Sequence, residues 1–173
     1  FGTAGPRGAR RRAPRPPDAT ADATISLEEV QRGTERHLEI GETTLEVKIP
    51  PGVRDGQKIR LSGKAEGGGN VYITVGVTRH PVFTRDNADL SMDLALSLGE
   101  ALLGAEVHIT TLSGKRLALT IPPGTQPGTK MRLKGMGLAV GAKEAGDQYV
   151  EIKVTIPTTL TENQKRLLDE WEG

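Results

Sequence analysis

The sequence predicts an all-β protein: two tandem β-sandwich-like domains of related topology, each with a short helix, followed by a C-terminal helix. Three observations lead there. Apolar residues alternate with polar ones at a period of two along most of the chain, as strands buried on one face require. A set of short motifs occurs twice in the same order, as expected of two copies of one unit. Turn formers are abundant, with 22 Gly and 11 Pro in 173 residues, while aromatic residues make up 3%. Such a chain reverses often and fills its core with aliphatic side chains.

The elements follow in chain order. Residues 1–19 mix Gly, Pro and Arg without hydrophobic periodicity, and they read as a disordered linker that cannot bury enough apolar surface to offset its ordering entropy. An opening on Phe-Gly without Met suggests a fragment of a longer protein. Strands are expected at Ala21 to Ile25, Arg36 to Ile40, Leu45 to Ile49, Ile59 to Leu61 and Val71 to Val77 in the first domain, residues 20–84. In the second, residues 85–158, they fall at Leu90 to Leu96, Val107 to Leu112, Leu117 to Ile121, Met131 to Leu133 and Val150 to Ile156. Pro50-Pro51-Gly52, Asp55-Gly56, Ser113-Gly114 and Pro122-Pro123-Gly124 are turn signals between them. Ser26 stands three residues before Glu29, and Ser97 three before Glu100; each spacing is that of a capping box, with Gly33 and Gly104 as the stops. Thr161 and Gln164 repeat it at the head of the C-terminal helix, residues 159–173, where Leu160, Leu167, Leu168 and Trp171 share one side.

The repeat is explicit. Ile49-Pro50-Pro51-Gly52 returns as Ile121-Pro122-Pro123-Gly124, and Gly56-Gln57-Lys58-Ile59-Arg60-Leu61 as Gly128-Thr129-Lys130-Met131-Arg132-Leu133, both at an offset of 72. Ser26-Leu27 and Gly33 return at 71, and Gly69 to Tyr72 at 77, so the second copy carries extra loop residues around 137–145. Domains this small bury only about 60% of their chain's surface, so contact between the copies is expected to stabilise both.

Composition removes several function classes. The absence of Cys excludes a disulfide framework, thiolate metal sites and a cysteine nucleophile, and without a signal-peptide segment it leans cytoplasmic. No apolar run approaches the ~18 residues that a helical membrane span needs. His37, His80 and His108 lack metal-ligand spacing, and His80 before Pro81 is expected to cap a turn. Asp86, Asp89 and Glu100 suit solvated or capping roles better than paired acid–base work, and Gly67-Gly68-Gly69 lacks a phosphate-binding ending. No enzyme activity, cofactor or metal is expected. A carbohydrate-binding module would need aromatic platforms, for which Tyr72, Tyr149 and Trp171 are too few. Arg7, Arg10, Arg11, Arg12 and Arg15 lie in a stretch without an acid, leaving the body mildly acidic. They support an alternative reading as a salt-dependent nucleic-acid-binding segment, against which stands the lack of an interleaved aromatic residue.

The segment His80-Pro81-Val82-Phe83-Thr84-Arg85-Asp86-Asn87-Ala88-Asp89-Leu90, then Glu100 to Gly104, Thr111 to Gly114 and Ile121 to Gln126, resembles the C-terminal client-binding region of DnaJ-type co-chaperones over about residues 20–170. Gly41-Glu42 stands where the Cys-rich zinc module of the full family is inserted, so the likeness is to the zinc-free subtype, including the curved-DNA-binding protein. No His-Pro-Asp triplet occurs, and the J-domain that stimulates a DnaK-type ATPase is therefore not in this sequence. Asn87 replaces the family's usual Gly, which fits a left-handed turn. The resemblance implies a hydrophobic groove for unfolded polypeptide beside a strand edge, lined by Ala21 and Ala23, Leu38 and Ile40, and Phe83. The i, i+2 spacing of each pair puts it on one sheet face. Phe83 is the sole Phe after Phe1. The resemblance further implies delivery of clients to a DnaK-type chaperone and a homodimer through Leu167, Leu168 and Trp171. The basic run with which the family meets a partner's acidic tail is reduced here to Thr34-Glu35-Arg36-His37. Met131, Met136 and Leu138 are expected to be packing residues first and a secondary apolar site second.

Overall fold

The computed structural model describes residues 17–139 and 145–172. The first half runs β1 (Ala19–Ile25), α1 (Leu27–Arg32), β2 (Thr34–Ile40), β3 (Thr43–Ile49), β4 (Gln57–Leu61) and β5 (Val71–Val77). β1 pairs with β5 in parallel, β4 joins the other side of β5 antiparallel, and β2 and β3 form a separate hairpin. The second half runs β6 (Thr84–Asp86), β7 (Asp89–Ser97), α2 (Leu98–Leu103), β8 (Ala105–Thr110), β9 (Arg116–Ile121), β10 (Lys130–Leu133) and β11 (Gln148–Thr155), and α3 (Glu162–Glu172) closes the chain.

The motif repeat becomes a repeat of topology and register. β7 pairs with β11 in parallel, β10 lies antiparallel on the far side of β11, and β8 and β9 form their own hairpin. Ile25 faces Val77 across the first parallel pair, and Leu96, its sequence equivalent, faces Val154 across the second. Ile59 opposite Ile73 is matched by Met131 opposite Val150. One unit has been built twice.

Each parallel pair needs a crossover, and α1 and α2 begin it. At six residues neither would be stable as a free helix. Both are held by reciprocal capping: the Glu29 amide donates to Ser26 Oγ while the Ser26 amide donates to Glu29 Oε2, and Ser97 and Glu100 do the same. Leu27 and Val30 of α1, and Ala101 of α2, are buried beneath them. The Thr161–Gln164 box at the head of α3 is also formed.

Two apolar clusters make the interior. One gathers Ile25, Val30, Val47, Ile49, Val71, Ile73 and Val75 and continues through Phe83 to Leu90, Leu112 and Leu138 of the second half. The other holds Leu96, Ile109, Leu119, Ile121, Val150 and Ile152, and Met92 packs against both. The copies thus share side chains at their junction.

Several expectations are corrected. β6 was not anticipated: Thr84-Arg85-Asp86 has no apolar alternation, and its pairing with β7 depends on the turn at Asn87, whose φ of +56° is the left-handed conformation expected there. β8 stops at Thr110, because the amide and hydroxyl of Thr111 both bond the carbonyl of Lys115 and close a turn. Ile156 is 72% exposed, since β11 ends at Thr155, opposite Ser97, where β7 gives way to α2. Leu138 is fully buried, as its expected packing role requires. Among the described residues no helix is long and apolar enough to cross a membrane.

Candidate functional site

β1 and β2 are both edge strands. β1 has β5 on one side, β2 has β3 on one side, and among the described residues neither outer margin is paired with another strand. α1 joins them and fixes their relation. Glu29, besides capping α1, accepts from Arg36 Nη2 at 2.8 Å and from the Thr34 hydroxyl at 3.2 Å, tying the helix to the start of β2. The Ser26 amide, first, and the Arg36 charge together hold the Glu29 carboxyl below the ordinary carboxylate range.

Ala21 and Ala23 sit on one face of β1; Ala23 is buried and Ala21 half-buried. Leu38 and Ile40 alternate on β2 with the exposed Glu35, His37 and Glu39, and both stay half-buried against the cluster that contains Ala23. Four of the five expected groove residues therefore lie on the two edge strands and pack in or against one apolar cluster. Ala21, Leu38 and Ile40 keep part of their apolar surface open to solvent.

Phe83 belongs to the same cluster but is placed differently. It is 7% exposed and contributes to a separate cleft of about 600 Å³, together with Leu27, Val77, His80, Arg54 and Arg85; Ala21, Ala23, Leu38 and Ile40 do not line it. Sequence reasoning did not find this cleft, because its walls come from α1, the turn between β3 and β4, the β5 exit and the stretch through β6, which share no periodic pattern. Arg85 spans it, donating to the carbonyls of Val53 at 2.8 Å and Asn87 at 2.8 Å. Burial, followed by the charge of Arg54, lowers its pKa.

His80 organises the approach to Phe83. The backbone N–H groups of Val82 and Phe83 both donate to His80 Nδ1, each at 3.0 Å, so the expected turn cap is present. On the other side of the ring, Nε2 lies 3.1 Å from Glu28 Oε1 of α1. The ring centroids of His80 and Phe83 are 5.1 Å apart.

The remaining expected residues lie elsewhere. On α3, Leu167 is 52% and Trp171 68% exposed, and Leu168 is half-buried. Arg7, Arg10, Arg11, Arg12 and Arg15 fall outside the described residues.

Comparison with known proteins identifies the family of the chain. The family model described as the DnaJ C terminal domain matches residues 19–157. The Chaperone protein DnaJ of Acetobacter pasteurianus is 43% identical over 138 residues, covering 76% of this chain and 36% of that protein. Its namesake in Bacillus cytotoxicus is 45% identical over 136 residues, covering 75% and 37%, and that of Neisseria meningitidis 44% over 136 residues, covering 75% and 36%. The chain thus spans somewhat more than a third of the length of these relatives. With four-fifths of its length matched by one family model, and topology and register repeated within that span, the chain belongs to the DnaJ C-terminal domain family.

Proposed function

We propose that this chain is the client-binding part of a co-chaperone: it holds unfolded or misfolded polypeptide along the free margins of β1 and β2 for delivery to a DnaK-type ATPase chaperone. Residues 20–84 and 85–158 act as two domains, the first gripping the client and the second positioning it. A partner surface for many unrelated sequences must bond what they share, the backbone, and accept apolar side chains at every second position. The observation that carries the reading is the coincidence of unpaired strand edges with the half-buried Ala21, Leu38 and Ile40. The name Chaperone protein DnaJ borne by its relatives supports it. The protein works in the cytoplasm, and α3 joins two copies through Leu167, Leu168 and Trp171.

Suppression of aggregation of a denatured model protein tests the proposal. Replacing Leu38 and Ile40 together by Ser is expected to abolish most protection while costing less stability than Phe83→Ala. Phe83 is nearly enclosed, and truncating such a residue costs about 3–5 kcal/mol. A model peptide N-methylated at alternate residues is expected to bind about tenfold more weakly than its parent, because it cannot extend the β2 ladder. Equal binding of both peptides together with full protection by the Ser variant would refute the groove.

A further inference from the structure

We infer that His80 is a positioning residue for client binding: its neutral imidazole, protonated on Nε2 and accepting at Nδ1, sets the backbone turn that places Phe83, and loss of that tautomer loosens the anchor. The inference rests on the client-binding reading above and adds Phe83 to it as the support beneath the groove residues: Phe83 lines a separate cleft but lies in the apolar cluster that contains Ala23 and against which Leu38 and Ile40 pack.

Three contacts fix the ring. An Nδ1 lone pair that receives the amides of Val82 and Phe83, each at 3.0 Å, cannot also carry a hydrogen. The neutral ring's one proton then sits on Nε2, and at 3.1 Å from Glu28 Oε1 it donates to that carboxylate. Pro81 has no N–H, so the two donors that follow it are the first in the turn, and one side-chain atom satisfies both. Phe83 is held at its amide by Nδ1, beside the imidazole ring, while its side chain enters the cluster shared with Ala23, Leu38 and Ile40. Glu28 anchors the arrangement to α1, the same helix that ties β1 to β2.

Protonation of Nδ1 would turn an acceptor of two bonds into a donor facing two donors. The charged groups around the ring are Glu28 on α1, Arg79 beside it in the chain, and Arg54, Asp55 and Arg85, which line the same cleft. The Asp55 carboxylate accepts from the Val77 amide at 2.8 Å. Acidification is therefore expected to weaken client binding by releasing the turn.

The test uses the full chain and a fluorescent unfolded-peptide probe, with affinity measured from about pH 8 to about pH 5. Asn places its amide oxygen where Nδ1 lies but does not titrate, and Gln places its own nearer to Nε2. His80→Asn is expected to bind within about twofold of the parent at pH 8 and to stay flat on acidification, whereas His80→Gln and His80→Ala lose about tenfold. The parent should weaken as pH falls, and its ¹⁵N spectrum should show Nδ1 unprotonated at pH 8; both readings need no variant to fold. Asn and Ala variants equally weak, an Ala variant as tight as the parent, or a protonated Nδ1 at pH 8 would each overturn the inference. Phe83→Ala separates the two claims: unchanged probe affinity in that variant removes Phe83 from the client site, while a weakened Phe83→Ala beside a normal His80→Ala removes the positioning role alone.

Discussion

A glycine ends each short helix, and the two positions explain each other. Gly33 and Gly104 have φ of +76° and +81°, a region in which a side chain is strained. A Cβ on Gly33 would lie 3.1 Å from the Ile49 carbonyl oxygen and from Pro51 Cδ; one on Gly104 would lie 2.8 Å from the Ile121 oxygen and 3.2 Å from Pro123 Cδ. The recurring Ile-Pro-Pro-Gly motif is thus the surface against which the helix stop packs. The motif and the two glycines were legible in the sequence as separate signals, whereas their contact was not, because 16 or more residues separate them in each copy. Gly33→Ala and Gly104→Ala are each expected to cost about 1–3 kcal/mol, read as a lowered urea midpoint with unchanged slope. At the candidate site, the alternation of Leu38 and Ile40 was visible as a half-buried face. The cleft at Phe83 was not, since Arg54, Val77 and Arg85 come together only after the chain has folded.

At the scale of the element, α1 concentrates the electrostatics of the first unit. Glu28 is held below the ordinary carboxylate range by its backbone amide first and then by the Ser26 hydroxyl, with His80 adding to the effect; Glu29 is lowered first by the Ser26 amide and further by Arg36. Both carboxyls are more acidic folded than unfolded, so their contribution is complete above the ordinary Glu value of 4.5 and disappears as pH falls through the lower folded values. Thermal unfolding between pH 7 and pH 3 should show the midpoint falling below about pH 4.5. Glu29→Gln should flatten part of that fall while lowering the midpoint at pH 7. A variant with the parent's pH profile would mean that the cap and the Arg36 pair add no pH-dependent stability. Strands with strict alternation, such as Val71 to Val77, were legible almost to the residue, and the capping boxes located all three helices. β6 escaped because a three-residue edge strand of Thr, Arg and Asp has no periodic signature, and its existence depends on the Asn87 turn.

For the whole molecule, duplication explains both what is shared and what differs. Each copy is a sheet built on a parallel pair with a detached hairpin, three-stranded in the first and four-stranded in the second, where β6 adds an edge; the motif offsets in the sequence were enough to reveal the pairing of copies. The shared packing of Leu90, Leu112 and Leu138 was not visible, because alternation shows that a residue is buried and not what it is buried against. α3 displays Leu167 and Trp171 outward, and the proposed dimer makes a direct prediction: sedimentation should give twice the chain mass for the parent and a single chain for Leu167→Glu/Trp171→Glu. A parent that sediments as one chain at all concentrations would refute assembly through this helix.

Phe83 and Thr84 are consecutive, yet the first is sunk in the apolar cluster that contains Ala23 and the second begins a strand hydrogen-bonded into the far sheet. No slack lies between anchor and lever. A displacement of the downstream sheet would therefore reach the Phe83 side chain through one peptide bond. The packing of Phe83 and the seating of β6 are mechanically one variable in this chain.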